Sequence, residues 1–177
     1  MVPEHTASEG LTPETKSSQH KITPCLWFKS EALEAAQFYT ATFPNSSIGH
    51  VHRSTVDYPG GKPGSVLMVA FTLAGQRYQA LNGGPHDTFN DAISLSVSCD
   101  DQAEVDHLWT ALTADGGKPV QCGWLKDKYG LSWQIVPAIM AEMMGSGDPV
   151  KLNRVMAAVM QMTKPDIAAL QRAFDGR

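Results

Sequence analysis

Features that would assign this 177-residue chain to a specialised class are mostly missing. Its three cysteines, Cys25, Cys99 and Cys122, are an odd number at wide spacings, so neither a disulfide framework nor a Cys-x-x-Cys zinc motif is present. No apolar run approaches the roughly 20 residues that span a bilayer, and the first residues lack the charged and apolar regions of a signal peptide. No membrane partner is expected, and the reading is a soluble, cytoplasmic protein. Basic runs are also absent: 14 Lys and Arg stand against 18 Asp and Glu, a formal net charge of -4. Nothing attracts a phosphate backbone strongly, so nucleic acid is not an expected partner. What the chain does have is 42% hydrophobic and 18% charged residues, enough to bury the core of one globular domain.

Residues 1–20 are rich in Ser, Thr, Glu and Pro and almost free of large apolar side chains, so they cannot repay the entropy of ordering and are expected to form a flexible tail. Lys21 to Phe28 reads as a strand. From Ser30, a plausible N-cap, Ala32, Leu33, Ala36, Tyr39 and Phe43 recur at helical spacing up to Pro44. Strands are expected over Ser47 to Val56, Val66 to Leu73 and Gln76 to Leu81, the last two joined by the tight turn at Ala74-Gly75 and closed by Asn82-Gly83-Gly84-Pro85. The second half repeats the plan. A strand over Asp91 to Cys99 leads to a helix over Ala103 to Leu112, with Asp100 or Asp101 as its N-cap, and two further strands follow over Pro119 to Leu125 and Leu131 to Val136. The fold class is therefore α+β, two βαβββ modules over residues 21–145, with a helical C-terminal extension over 146–177. In that extension Pro149 to Met162 is helical, and Thr163, Pro165 and Asp166 resemble a capped start for a last helix.

The hairpin from Cys122 to Pro137 turns on Asp127, Lys128 and Gly130. Its second strand puts Leu131, Trp133 and Ile135 on one face and Ser132, Gln134 and Val136 on the other. An amide on that second face needs partners, since burying it unpaired costs about 1–3 kcal/mol, and either a neighbour or a ligand supplies them. Ser94 and Ser96 would line the same wall. His50 and His52 share a strand face without a visible third ligand, which favours a solvated surface over a metal site. His86 follows the Gly-rich link. Cys25 and Cys122 read as buried, inert thiols, because no His and acid partners fall at recognisable spacings.

Cys25-Leu-Trp-Phe28, Phe38-Tyr39, Asn82-Gly-Gly84, Cys122-Gly-Trp124 and Asp127-Lys-Tyr-Gly130 through Trp133-Gln134, with Met156-Ala-Ala-Val-Met160 to Ala169-Leu170, resemble the PhnB-like branch of the vicinal oxygen chelate superfamily. Members of that branch carry the label 3-demethylubiquinone-9 3-methyltransferase or are called glyoxalase-like. The resemblance implies a glyoxalase-like fold with a cavity in each cupped sheet, and a homodimer. It also implies where metal-using relatives carry their ligands: those positions fall at Pro24, Gln79, Ala92 and Gln134. A proline, an alanine and two neutral amides are poor ligands for a divalent ion, so no metal and no cofactor are expected.

The leading expectation is a protein that binds an unidentified small molecule, with Leu26, Phe28, Gln79, Leu81, Ser94, Trp124 and Gln134 lining the cavity. The competing classes are an enzyme, either a methyltransferase as the relatives are labelled or a metal-dependent lyase or isomerase with an atypical site, and a dimer that only binds partners. A Rossmann-type methyl-donor site needs a Gly-rich turn opening a parallel β/α unit, and Gly60-Gly61, Gly83-Gly84 and Gly116-Gly117 open none. Metal analysis of protein purified without a histidine tag is expected to find no stoichiometric divalent ion; finding one contradicts this reading of the four ligand positions.

Overall fold

The computed structural model describes residues 21–177, so the tail expected over residues 1–20 lies outside the described residues. The first module runs β1 (Cys25–Phe28), α1 (Ala32–Thr42), β2 (Ser47–Arg53), β3 (Val66–Leu73) and β4 (Gln76–Asn82). In the second, β5 (Ser94–Cys99) and α2 (Gln102–Thr113) lead to β6 (Lys118–Pro119), β7 (Trp124–Lys126) and β8 (Ser132–Pro137). Both four-stranded sheets have the same order, β1-β4-β3-β2 and β5-β8-β7-β6, with the first strand of each module parallel to its last. This is the α+β arrangement of two modules that the internal repeat predicts, and the glyoxalase-like fold that the resemblance implies. Among the described residues no helix is long and apolar enough to cross a membrane.

Several ends differ from the sequence reading for identifiable reasons. Ser30 does not cap α1. Glu31 occupies the N-cap without a side-chain bond, and the first-turn amide of Ala32 is instead satisfied by Asn82 Oδ1 from the Gly-rich link, at 2.8 Å. Asn82 is 5% exposed and also donates from Nδ2 to the Val66 carbonyl, so one side chain ties the helix start to β3 and β4. A cap supplied from 50 residues away leaves no local signal. The strand expected over Pro119 to Leu125 is broken between β6 and β7, because Cys122 and Gly123 both adopt positive φ. On α2 the cap is Asp101, which accepts from the Glu104 amide.

Helix-facing positions of both sheets merge into one core. Val69, Phe71, Leu73 and Ala80 come from the first sheet, Leu125, Trp133 and Ile135 from the second, and α1 and α2 lie between them. Trp133 stacks on Phe43 at 5.1 Å between ring centroids and packs against Tyr39 at 5.5 Å. A second small core forms from Met143, Val155 and Leu170 on α3 (Ile139–Gly145), α4 (Pro149–Val159) and α5 (Ile167–Asp175). The cap of α5 is Asp166, accepting from the Ala169 amide, while Pro165 precedes the cap. α3, which begins at Ile139, packs on α4 and α5.

The modules are locked at Asp127. It is 3% exposed and its carboxylate accepts four hydrogen bonds: Tyr39 Oη (2.7 Å) and Trp133 Nε1 (2.9 Å) at Oδ2, and the amides of Tyr129 (2.9 Å) and Leu131 (3.1 Å) at Oδ1. Burial raises its pKa, and the donors, Trp133 and Tyr39 foremost, pull the other way without cancelling it. An amide at this position would turn an NH2 toward donors that need an acceptor. Asp127→Asn is expected to cost about 2–4 kcal/mol and Tyr39→Phe about 1–2 kcal/mol, measured by urea denaturation at neutral pH. Equal, negligible losses in both variants would contradict the role of the carboxylate.

Candidate functional site

Among the described residues, each sheet buries one face under its helix and leaves the other largely open. Alternation and register assign the side chains. On the first sheet, β1 pairs with β4 so that Cys25 lies beside Gln79 and Trp27 beside Leu81, while Met68 of β3 faces Leu81 and Ala70 faces Gln79. These residues form the open face. Leu26 and Phe28 point the opposite way, into the core, at 7% and 3% exposure. The expectation that they share a wall with Gln79 and Leu81 is therefore corrected, and Trp27 takes that place. The reason is that Cys25-Leu-Trp-Phe28 is apolar at every position, so its alternation carries no parity, and a one-residue error exchanges the faces.

On the second sheet the open face carries Ser94, Ser96 and Ser98 from β5, Ser132, Gln134 and Val136 from β8, and Trp124 and Lys126 from β7. Gln134 Nε2 donates to Ser94 Oγ at 2.8 Å, and Trp124 lies directly across from Gln134. A neighbour therefore supplies one of the partners the amide needs. At the end of this row Lys126 Nζ reaches Asp91 Oδ1 at 2.7 Å, and Ser132 Oγ donates to the same oxygen at 3.1 Å. Hydrogen bonds from Lys126 and then Ser132 hold the exposed Asp91 carboxyl below its usual range. The seven expected cavity residues thus divide into three groups: Gln79 and Leu81 on one open face, Ser94, Trp124 and Gln134 on the other, and Leu26 and Phe28 in the core.

The Gly-rich link borders the first open face. Trp27 Nε1 donates to the Gly84 carbonyl at 3.0 Å, and the ring lies against Gly83, where an added Cβ would sit 2.1 Å from it. Gly83 is required by this close approach rather than by its backbone angles.

A cleft of about 220 Å³ that the sequence does not signal opens between the modules, with Phe28, Glu31, Asp87, Phe89, Lys128 and Tyr129 in its wall. Tyr129 Oη donates to Glu34 Oε1 at 2.7 Å, and Lys128 Nζ meets the same oxygen at 3.0 Å while lying over the Phe38 and Tyr129 rings. The hydrogen bonds from Tyr129 and Lys128 keep Glu34 below the ordinary carboxylate range, while burial and then the bond to Glu34 push the Tyr129 phenol well up. Tyr129 accordingly stays protonated and serves as a hydrogen-bond donor to Glu34. Asp127-Lys-Tyr-Gly130 holds the residues of this cluster, but only the pairing with Glu34 on α1 gives them meaning.

Of the remaining candidates, Cys25 and His52 belong to the first open face, His52 being paired with Met68. His50 and His52 are exposed with ring centroids 4.5 Å apart, and His86 is exposed in the loop after Gly84. Cys25 is exposed and Cys122 half-buried, contrary to the expectation that both are buried; Cys99 is the buried thiol, and desolvation followed by Glu104 pushes its pKa up to about 12. Among the described residues no three His, Cys, Asp or Glu side chains cluster as a metal site would need. Of the positions that correspond to the relatives' ligands, Pro24 accepts from the Gln79 amide through its carbonyl, Ala92 sits in a turn before β5, and Gln134 is engaged with Ser94.

The sequence profile of the 3-demethylubiquinone-9 3-methyltransferase family matches residues 20–136, which take in both modules. The chain belongs to this family. A PhnB protein from Bacillus cereus, itself named as a 3-demethylubiquinone-9 3-methyltransferase, is 37% identical over 67% of this chain and 99% of its own, with a TM-score of 0.61. Protein PA1353 from Pseudomonas aeruginosa is 18% identical over 66% of this chain and 96% of its own, at a TM-score of 0.55, and shares the fold. No curated protein matches the chain significantly. The family match ends at Val136, so α3, α4 and α5 lie beyond it. Within the matched region, Gly83→Ala is expected to displace the Trp27 indole and cost about 1–3 kcal/mol, seen as lower stability with a changed near-ultraviolet circular dichroism spectrum. An unchanged spectrum would contradict the packing described for Trp27.

Proposed function

We propose that this family member binds an uncharged small molecule on its open sheet faces, as a homodimer and without a divalent metal. The observation that carries the reading is the row formed by Ser94, Gln134 and Trp124: a hydroxyl, an amide and an indole side by side on a half-buried sheet face. Gln134 offers both a donor and an acceptor, and Trp124 offers a ring face, which together suit a neutral, planar, hydrogen-bonding ligand. Gln79 and Leu81, with Trp27, provide a comparable surface on the first sheet. The α1 and α2 sides of the sheets are occupied by each other within one chain, so a second copy is the natural cover for the open sides. Neutral amides at Gln79 and Gln134, a proline carbonyl and an alanine give no charged or imidazole ligand, so the reaction chemistry of a bound divalent ion is not part of this reading.

The family description and the name of the Bacillus cereus relative favour methyl transfer as a second reading. Each sheet here contains one parallel pair and otherwise antiparallel strands, so neither is the doubly wound parallel sheet of a Rossmann-type donor site. A melting screen of uncharged metabolites is expected to find a compound that raises Tm by about 2–4 °C, with the rise lost in Gln134→Ala. If no compound moves the melting point, or if S-adenosylmethionine binds in calorimetry, the binding-protein reading fails.

A further inference from the structure

The loop between α4 and α5 is bonded to the turn before β7 and to α2, and a space between the C-terminal helices and the second sheet is left unfilled. The Cys122 amide donates to the Met162 carbonyl at 2.8 Å and the Gly123 amide to the Thr163 carbonyl at 3.0 Å. The Gln102 side chain closes the other side, donating to the Pro165 carbonyl (3.1 Å) and accepting from the Ile167 amide (2.9 Å). Gly123, at φ 83°, sits so near β8 that a Cβ would lie 2.6 Å from the Ile135 carbonyl oxygen. These bonds hold the helices and the strand apart by a set amount.

What remains is a pocket of about 120 Å³, partly open to solvent, walled by Ile135, Val136, Met140, Val159, Met162 and Leu170. Among the described residues no charged side chain lines it, and the thiol of Cys122 on its wall is turned to Met160 Sδ at 3.7 Å. An apolar pocket of this kind offers a water molecule few of the two to four polar partners it needs, and apolar cavities of about 150 Å³ take up benzene or xenon. Met140 and Met162 add unbranched, polarisable walls that adapt to an occupant. Leu170 and Val159 belong to helices beyond the end of the family match, so this space is built by the extension of the present chain.

We propose that this seam is a second binding site, selective for a compact, uncharged, apolar molecule of about six heavy atoms, aromatic or branched aliphatic. Occupancy fills the gap between the helical unit and the sheet and thereby strengthens their docking. The site does not depend on the open-face reading: its walls are apolar and it makes no use of Gln134, Ser94 or Trp124.

The probe is benzene, titrated into full-length protein carrying 13C-methyl methionine. The methyl resonances of Met140 and Met162 are expected to shift saturably while that of Met68, on the open face of the first sheet, stays in place, and Tm is expected to rise by about 2–4 °C. Val159→Phe, which fills the cavity from α4, is expected to weaken the response by about tenfold or more. The proposal is overturned if no methionine shifts saturably, if Met68 responds alongside the other two as in non-specific partitioning, or if a folded Val159→Phe responds as the natural protein does. Should that variant fail to fold, the selectivity of Met140 and Met162 over Met68 in the natural protein decides the matter by itself.

Discussion

A buried carboxylate held by four donors keeps this molecule together. Asp127 lies in the turn of the β7–β8 hairpin, yet its side-chain partners are Tyr39 on α1 and Trp133 on β8, one from each module. Desolvation makes the ionised group costly and four donors make it tolerable, so the pair of modules is secured by an interaction that weakens as donors are removed. Trp133, fixed by the same oxygen, then stacks on Phe43 and extends the lock into the apolar core. Directional polar contacts here specify how the modules meet, and the surrounding aromatic packing supplies most of the burial.

That meeting has a geometric consequence. The helix-bearing sides of both sheets are consumed by each other, and the opposite sides are left open, one bearing Gln79, Leu81 and Trp27 and the other Ser94, Gln134 and Trp124. The chemistry at the centre of these faces is neutral. Two amides, a proline and an alanine stand where the resemblance to metal-using relatives puts carboxylates or imidazoles, which directs the proposed function toward recognition of an uncharged ligand. The polar cluster of Glu34, Lys128 and Tyr129 belongs to the junction between the modules, and Lys128 and Tyr129 share their cleft with Trp27.

Much of this architecture is legible in the residues. The repeat of strand, helix and paired strands predicts both modules, and the alternation of Leu131, Trp133 and Ile135 against Ser132, Gln134 and Val136 correctly separates the two faces of β8. The pattern works there because large apolar residues alternate with smaller or polar ones. It cannot work in β1, where every residue is apolar, and Leu26 and Phe28 consequently read as belonging to the wrong side. The capping of α1 by Asn82 and the four-donor environment of Asp127 are also hidden, because each depends on partners distant in the chain. A turn-forming Asp and an Asn in a Gly-rich link have ordinary local explanations, and only the fold gives them their larger roles.

With the modules oriented by Asp127, a single copy exposes both open faces, and in the proposed homodimer a second copy covers them. Sedimentation equilibrium at micromolar concentration tests this most directly, given a chain mass of 19.2 kDa. A species of twice the chain mass that persists on dilution through the micromolar range is predicted; a species of the single-chain mass at every concentration would contradict it.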